Sequence, residues 1–382
     1  MLSRLWDDFE RFGRALPADW ASHVHDRYGI DLGASYLGHP LPHPVGKASG
    51  QLSLNARQLE QDHEAGLAFV ILKTVIGERP DGTRRMQAWA TDETRMQVDP
   101  RTEPDGRAGW TVTWRGRGWA GTLADYAALL RAGREMTRAG GLLVVPSVKL
   151  HLPVAGESFD ADEYQHTLGV LQGAWGPDTM LLEKDFSPTL AGDPRSDERD
   201  GILRWVRDVP AMCRTHAAGP MLLAMKLMNA RFDTAFQVEM LRTASTADGV
   251  TVFNRLWNGE QGVAYGGWAL SDRNLAVLDA AGPAGPERSG TGNICSGRQL
   301  VEYGRRGCTS VQLHTFFQLP LAAYPASAGS RSQRALHALV FHPVDGLVAC
   351  LLELEQRGEL VRHRGELRFA DLRLLGGLSH ED

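Results

Sequence analysis

The chain has 382 residues, which is enough for one large domain with a deep core or for two ordinary domains. Its composition, 43% hydrophobic and 23% charged residues, is typical of a soluble globular protein, and the net charge of -5 lacks the basic excess expected of a nucleic-acid-binding protein. The four cysteines are scattered, without a CxxC pair or a close Cys/His cluster, so the sequence predicts no metal site and a reducing compartment, the cytoplasm.

Residues 1 to 30 are expected to form a helical extension, with two short helices divided by Pro17. One side of these helices is apolar and carries Leu2, Leu5, Trp6, Phe9, Phe12 and Leu16. Acidic residues interrupt this stretch where a signal peptide would need an apolar run, and no later segment approaches about 18 uncharged apolar residues. We expect the apolar side to pack against the main domain; a peripheral membrane contact through residues 1 to 28 is the alternative.

From residue 44 onward, short runs rich in Val, Ile and Leu alternate with amphipathic stretches, a pattern typical of parallel β/α architecture. Eight strands are predicted, at residues 44 to 49, 67 to 73, 142 to 148, 179 to 184, 220 to 226, 248 to 254, 286 to 292 and 309 to 315. Continuous apolar runs favour strands that are buried on both faces. The sequence therefore predicts an α/β fold, a (β/α)8 TIM barrel over residues 31 to 382.

Residues 77 to 122 form an insertion after the second predicted strand and are rich in Gly, Arg and Trp. On the carboxyl side of a barrel strand, such a segment is expected to lie over the mouth, built on a hairpin. Its Trp110, Trp114 and Trp119, with Arg115 and Arg117, indicate a lid that stacks on a substrate. The alternative is a hairpin whose tryptophans cover the barrel rim.

Two stretches carry the pattern of a ligand site. Ala48, Ser49 and Gly50 follow the first strand and allow a flat ligand to approach the backbone. The second stretch, residues 289 to 320, places a glycine-rich turn before a helix and then a strand that ends at His314 and Thr315. In barrels, backbone amides after the last two strands are a common phosphate site.

These two stretches resemble the first strand and the FMN-phosphate strands of the dihydroorotate dehydrogenase family, and the segments LAFVILKTVIGERP, LLEKDFSPTLAG and DGVTVFNRL fall between them in the family's order. The resemblance covers residues 30 to 355 and implies an FMN-binding barrel with hydride transfer at flavin N5. The FMN contacts that it implies are Ala48, Ser49, Gly50, Thr74, Ser147, Lys226, Asn254, Gly267, Gly292, Asn293, His314 and Thr315.

Two residues have predicted chemical roles within this resemblance. A cation such as Lys226, at the end of the fifth strand, can stabilise the anionic reduced form of a flavin. Ser187 lies in the FSP of LLEKDFSPTLAG, where the family keeps its catalytic base, although a serine needs help from its environment to act as one. A simple turn before Pro188 is the alternative interpretation of Ser187.

The departures from the family concern the substrate. Ser53 stands where the family has a lysine, and Lys184 and Thr189 stand where it has asparagines that hold orotate. Losing those groups argues against dihydroorotate as substrate. Lys73, Lys149, Lys184 and Lys226 all fall at the ends of predicted strands, which favours an anionic substrate larger than orotate.

The sequence therefore predicts an FMN-dependent oxidoreductase that acts on CH–CH bonds of a small anionic molecule, with Ser187 or a lysine such as Lys184 managing the coupled proton, and with Ser53, Lys73, Thr189 and Trp114 near the substrate. Three alternatives stay open: genuine dihydroorotate oxidation with an altered grip, a flavin-free lyase or aldolase that uses a strand-end lysine, and a barrel without catalysis. The sequence also leaves open whether the protein forms a homodimer.

Overall fold

The structure is a computed structural model that describes residues 2 to 87, 96 to 103, 105 to 114, 118 to 186, 197 to 258, 260 and 263 to 377. Its helices are α1 Leu2–Phe12, α2 Trp20–Tyr28, α3 Ala56–Glu64, α4 Leu123–Arg138, α5 Ala161–Trp175, α6 Arg199–His216, α7 Thr234–Thr243, α8 Trp268–Ala281, α9 Gly297–Arg305, α10 Arg331–Phe341 and α11 Leu347–Gln356. Its strands are β1 Ile30–Asp31, β2 Ala34–Tyr36, β3 His39–Leu41, β4 Val45–Lys47, β5 Phe69–Ile71, β6 Val75–Ile76, β7 Met96–Thr102, β8 Ala108–Trp114, β9 Leu143–Val145, β10 Ser147–Lys149, β11 Met180–Asp185, β12 Met221–Lys226, β13 Gly249–Val252, β14 Leu256–Asn258, β15 Val263–Tyr265, β16 Glu287–Thr291, β17 Cys308–Leu313 and β18 Leu367–Arg368.

The central sheet has ten strands in the order β6-β10-β11-β12-β13-β16-β17-β4-β5-β9, and its pairs are parallel. Each of the eight predicted segments overlaps a strand of this sheet. Pro146 alone separates β9 from β10, since its ring nitrogen cannot donate a ladder hydrogen bond. The sheet curls, with helices between successive strands, so the chain has a TIM-barrel-like α/β fold.

The helices that connect these strands begin and end where their local sequence dictates. The side chain of Ser296 accepts a hydrogen bond from the backbone of Gln299 and so caps α9. Thr122 and Asp125 form a capping box at the start of α4. Gly140 and Gly307, with φ of +80° and +84°, follow α4 and α9 in the left-handed region that favours glycine.

Side chains inside the curled sheet form two layers. The lower layer is apolar and contains Phe69, Ile71, Leu143, Val145, Leu181 and Ala224, packed against Tyr36, Leu37 and Leu41 of the β2–β3 hairpin. Above it lies a polar layer, in which the buried carboxylate of Glu183 accepts hydrogen bonds from Thr251 at 3.0 Å and from Gln312 at 2.9 Å. Because the hairpin fills one end of the interior, a ligand can enter only at the carboxyl ends of the strands.

The two N-terminal helices pack against the rest of the domain. The rings of Phe12 and Phe341 lie 4.8 Å apart, and Phe9 stacks on His337 of α10 at 4.6 Å. Leu5, Phe12 and Leu16 are buried, whereas Trp6 is 50% exposed. Most of the apolar side predicted from the sequence is therefore covered by the protein itself. In the part of the chain that the structure describes, no helix is long and apolar enough to cross a membrane.

A second, small sheet is built from the insertion and from the segment after β13. β7 and β8 form an antiparallel hairpin, which the composition of the insertion predicted. β15 pairs with both β8 and β14, so the sheet order is β14-β15-β8-β7. The guanidinium of Arg107 binds Asp272 of α8 and lies over the ring of Trp268, which fixes the hairpin to the main domain.

Candidate functional site

A cavity lies at the carboxyl ends of the parallel strands and encloses about 950 Å³ that no protein atom fills, its open mouth included. The predicted residues that line it are Ala48, Ser49, Gly50, Lys73, Thr74, Lys226, Asn254, Gly267, Gly292, Asn293, His314 and Thr315. The fold therefore brings together residues that are separated by more than two hundred positions in the sequence.

Ser147 and Ser53, which were also predicted at the site, do not line the cavity. Ser147 lies beneath Thr74, and their hydroxyl oxygens are 3.0 Å apart. Ser53 is buried and its hydroxyl donates to the carbonyl of Gly50, so it shapes the turn and does not line the cavity. Ser187 and Thr189 lie outside the described residues, and so does the side chain of Trp114.

Lys184 was predicted at the mouth, but the structure places it on the outer side of β11. Alternate residues of a strand face opposite sides of the sheet, and on β11 Glu183 and Asp185 face inward, so Lys184 faces the helices. Its ammonium lies 4.4 Å above the ring of Phe186. Burial lowers its pKa to about 8, opposed by the neighbouring Cys213 of α6. This position corrects the expectation that Lys184 contacts a ligand in the cavity.

Asp185 is a residue of the site that the sequence did not identify. It is 6% exposed, lines the cavity and accepts a hydrogen bond from the hydroxyl of Thr74 at 3.2 Å. Thr74 is held in turn by Ser49, whose hydroxyl lies 2.9 Å from both the Thr74 hydroxyl and the Thr74 backbone nitrogen. This ladder of hydroxyl groups fixes the carboxylate at the end of β11.

The charged side chains that line the cavity are mostly basic. Among the described lining residues, Lys73, Lys149, Lys226 and Arg255 are basic and Asp185 is acidic. Burial lowers the pKa of Lys73 to about 7, with Asp185 opposing and the other cations adding to the shift. Burial also lowers the pKa of Arg255 to about 10. Basic side chains at the described lining of a cavity favour an anionic ligand.

Lys226 has a buried carboxylate below it. Its ammonium lies 3.5 Å from Oε1 of Glu183, while the other oxygen of Glu183 accepts from Thr251 and Gln312. Glu183 is fully buried, so this pair holds the lysine in place at the floor of the cavity. Because Glu183 is held in place, the direction of the other N–H groups of Lys226 is fixed as well.

The glycine-rich turn after β16 has the geometry that the sequence indicated. Gly292 has a φ of +111° and Asn293 a φ of +52°. A β-carbon on Gly292 would lie 2.6 Å from Nδ2 of Asn274, which donates to the carbonyls of Phe253 and Thr291. The turn is therefore held against α8 and leaves no room for a side chain. Burial and nearby cations, Arg255 first among them, lower the pKa of His314 well below 6.5, so its ring is uncharged at neutral pH.

The tryptophans of the insertion divide between the two roles considered. Trp110 lines the cavity. Trp119 packs edge-on against Tyr126 at 5.4 Å and donates its Nε1 hydrogen to the carbonyl of Thr122, which places it on the rim. Arg115 and Arg117 lie outside the described residues.

Several lining residues were missed, and their signals differ. Asp185 shares the inward side of β11 with Glu183, and no signal in the sequence indicated this, because both faces of the strand are buried. Arg255 and Phe253 follow β13 on either side of Asn254, and their position beside this predicted residue was the available signal. Leu270 on α8 reaches the cavity only through tertiary packing.

No protein-family model and no curated protein matches the sequence of the chain. Among solved structures, the chain is similar to a DHODH, a dihydroorotate dehydrogenase, from Eimeria tenella in a complex with ferulenol. The TM-score is 0.61 at 13% sequence identity, over 96% of this chain and 95% of that one. At this identity the likeness shows the fold alone. The chain has a DHODH-like fold.

Proposed function

We propose that this protein is an FMN-dependent oxidoreductase that transfers hydride at flavin N5 on a substrate other than dihydroorotate. The observation that carries the proposal is the cavity at the carboxyl ends of the strands of a DHODH-like fold. The residues that a flavin would contact line this cavity together with several basic side chains. The finer architecture that we propose is a closed (β/α)8 barrel over residues 31 to 382, supported by the pairing of β17 with β4 and of β5 with β9.

The residues of the cavity fit FMN. A phosphate would be held at the turn of Gly292 and Asn293 and by the backbone after β17, at His314 and Thr315, where a β-carbon on Gly292 finds no space. Ala48, Ser49, Thr74, Asn254 and Gly267 would border the flavin, with Ser147 supporting Thr74 from below. When bound, FMN supplies a site that accepts or donates hydride.

The protein's own groups contribute charge and proton transfer. Lys226, held by Glu183, places a cation at the end of β12, where it stabilises negative charge that develops during reduction. Ser187, which follows β11 by two positions, is the proposed base for the coupled proton. The burial of the cavity strengthens each of these electrostatic effects.

The flavin is tested on the purified protein before any substrate is known. We expect a yellow protein whose denaturation releases FMN, identified by its mass, in a ratio close to one per chain. Lys226→Ala should retain less flavin, whereas Lys184→Met, which alters a buried lysine that faces the helices, should retain as much as the wild type if it folds. A colourless protein that takes up no FMN on titration contradicts the proposal.

A second candidate function rests on Lys73. An amine whose pKa lies near 7 is largely neutral at physiological pH, and a neutral lysine beside a carboxylate can form a Schiff base with a carbonyl substrate. This describes a flavin-free lyase or aldolase. Reduction with borohydride in the presence of pyruvate or another small keto acid, followed by mass spectrometry, would show an adduct on Lys73. A flavin-loaded protein without such an adduct rejects this candidate.

A further inference from the structure

The glycine-rich turn after β16 is held from behind by two side chains of α8. Ser271 and Asn274 lie three positions apart on this helix and therefore share one of its sides. The hydroxyl oxygen of Ser271 accepts a hydrogen bond from Nδ2 of Asn293 at 3.2 Å. Nδ2 of Asn274 donates to the carbonyl of Thr291 at 2.8 Å. The helix thus holds the residues on both sides of Gly292.

Asn274 is fully buried, and both polar atoms of its side chain have partners. Besides Thr291, its Nδ2 donates to the carbonyl of Phe253 at 3.1 Å, and its Oδ1 accepts from Nδ2 of Asn229 at 3.1 Å. Asn229 also donates to the carbonyl of Asn254. Because a carbonyl oxygen only accepts hydrogen bonds, the nitrogen of the Asn274 amide must face these carbonyls. Asn274 therefore ties the loop after β13 to the loop after β16.

The hydroxyl group of Tyr303 on α9 reaches the same turn. It lies 3.0 Å from the carbonyl oxygens of Thr291 and Gly292 and 3.3 Å from Nδ2 of Asn274. Burial raises the pKa of Tyr303, so its hydroxyl keeps the proton and remains a donor to these carbonyls. Thr291 and Gly292 line the cavity, whereas Tyr303 and Asn274 lie behind them. The two carbonyls therefore point away from the cavity.

The direction of these carbonyls determines the direction of the next two N–H groups. In a trans peptide group, the C=O of one residue and the N–H of the following residue point in opposite directions. The carbonyls of Thr291 and Gly292 point behind the turn, so the N–H groups of Gly292 and Asn293 point into the cavity. Among the described residues, neither N–H has an acceptor. Two neighbouring donors of this kind suit a single anionic group.

We propose that Asn274 and Tyr303 are positioning residues that direct the N–H groups of Gly292 and Asn293 to the phosphate of a ligand, and that they thereby make the cavity select a phosphorylated ligand. The proposal rests on the proposed function only in that FMN is this ligand. Donors that are already oriented bind an anion without the cost of ordering them. Since neither side chain lines the cavity, their effect is confined to the part of the affinity that depends on the phosphate.

The test compares FMN with riboflavin, which lacks only the phosphate, on the full-length protein from which any flavin has been removed. Fluorescence titration gives both dissociation constants. We expect the wild type to prefer FMN by about a hundredfold or better, the size of two hydrogen bonds to a charged group. Asn274→Leu should lose about tenfold or more of this preference, and Tyr303→Phe about threefold. Both variants should bind riboflavin as the wild type does.

Gln237→Leu is the matched control, because Gln237 on α7 is another fully buried amide that holds a loop. Its Nε2 donates to the carbonyl of Met228 at 2.8 Å, and its Oε1 accepts from the backbone of Ala230 at 2.9 Å. Met228 and Ala230 are not among the described residues that line the cavity, so the control should keep the preference of the wild type.

Circular dichroism establishes that each variant is folded. Tyr303→Phe, which removes a single oxygen atom, decides the question if Asn274→Leu does not fold. A preference for FMN that is undiminished in the folded variants overturns the positioning role. A loss of affinity that is equal for FMN and riboflavin also overturns it, because general loosening of the cavity weakens both ligands.

Inorganic phosphate separates this proposal from the proposed function, because its binding to the flavin-free protein requires no flavin ring. Calorimetric titration should show that Asn274→Leu binds phosphate about tenfold more weakly than the wild type and the control do. A protein that takes up no flavin but shows this pattern keeps the positioning role and rejects the flavin enzyme. A protein that binds FMN with an undiminished preference in the variants keeps the flavin enzyme and rejects the positioning role. Binding of neither phosphate nor flavin by the wild type rejects both.

Discussion

The imidazole of His314 lies against the α-carbon of Gly50, so closely that a β-carbon on Gly50 would fall 1.7 Å from Nε2 of the ring. Gly50 follows β4 and His314 follows β17, and these two strands are paired in the sheet. A glycine at position 50 is therefore required by the His314 side chain that follows the partner strand. Both residues line the cavity, so a change at one is transmitted to the other.

Gly50→Ala should displace the His314 ring into the cavity and weaken the retention of FMN by about tenfold or more. Gly169→Ala in α5 is the control, because nothing lies within 4 Å of its β-carbon, and it should leave the flavin unchanged. Retention is measured as the dissociation constant of FMN by fluorescence. If Gly50→Ala binds FMN as tightly as the control, the first strand's turn does not border the flavin.

Gly292→Ala should both destabilise the protein and release FMN. Its φ of +111° makes a side chain strained, with a cost of about 1 to 3 kcal/mol in the free energy of unfolding, and its β-carbon would meet Asn274. Gly282→Ala separates the two effects, since Gly282 also has a positive φ but an open environment. Urea denaturation and flavin titration of both variants are the measurements. Equal flavin retention in the two variants would contradict a phosphate site at Gly292.

Lys73 should make anion binding depend on pH. The groups that face it are Asp185, which raises its pKa, and Lys149, Lys226 and Arg255, which lower it, and burial brings the pKa to about 7. The protonated amine of Lys73 binds anions better than the neutral amine does. The affinity for a small carboxylate such as pyrrole-2-carboxylate should therefore fall as the pH rises above 7, by at most about tenfold per pH unit. Binding should also take up protons in this range, which calorimetry in buffers of different ionisation enthalpy detects. Lys73→Met should abolish the proton uptake; uptake that persists there belongs to another group.

The same lysine affects stability. Its pKa in the folded protein, about 7, lies below the ordinary value of 10.5, so the unfolded chain binds more protons between these values. The free energy of unfolding therefore gains a contribution that rises with pH across that window. Comparing urea denaturation of the wild type and Lys73→Met at pH 7 and pH 9 measures it. A difference between the two proteins that does not change with pH contradicts the lowered pKa.

Dihydroorotate should reduce the flavin slowly or not at all. The described end of the cavity at β10 and β11 presents Lys149 and Asp185, where amide groups would be needed to match the carbonyls and N–H groups of the ring. Anaerobic mixing of dihydroorotate with the flavin-loaded protein, followed by absorbance, measures this. Rapid bleaching of the flavin at low dihydroorotate concentration would identify a genuine dihydroorotate dehydrogenase with altered substrate contacts.

The first helix should stabilise the domain. Phe12 is 5% exposed and packs on Phe341, so Phe12→Ala is expected to lower the free energy of unfolding by about 3 kcal/mol. Trp6→Ala is the control, because Trp6 is half exposed and should change stability by less than about 0.5 kcal/mol. Thermal and urea denaturation give both values. Unchanged stability in Phe12→Ala, together with liposome binding that Trp6→Ala abolishes, would favour the membrane interpretation instead.

The alternation of apolar runs and amphipathic stretches determined the strands and helices, because burial on both faces of a parallel sheet requires continuous runs of Val, Ile and Leu. The glycine-rich turn at Gly292 could also be predicted from the sequence, since a left-handed backbone excludes most side chains. Strand ends then predicted which loops meet at the mouth. These features depend on neighbours in the sequence.

The direction of the side chains at the end of β11 was decided only by the tertiary structure. In the run LLEKD both faces of the strand are buried, so the sequence contains no polar and apolar alternation to show whether Lys184 or Asp185 points into the barrel. Pairing with β10 and β12 fixes that phase, and a shift of one residue exchanges the two. The contact of Gly50 with His314 and the approach of Trp110 to the cavity likewise depend on segments that are distant in the chain and meet only when the sheet curls.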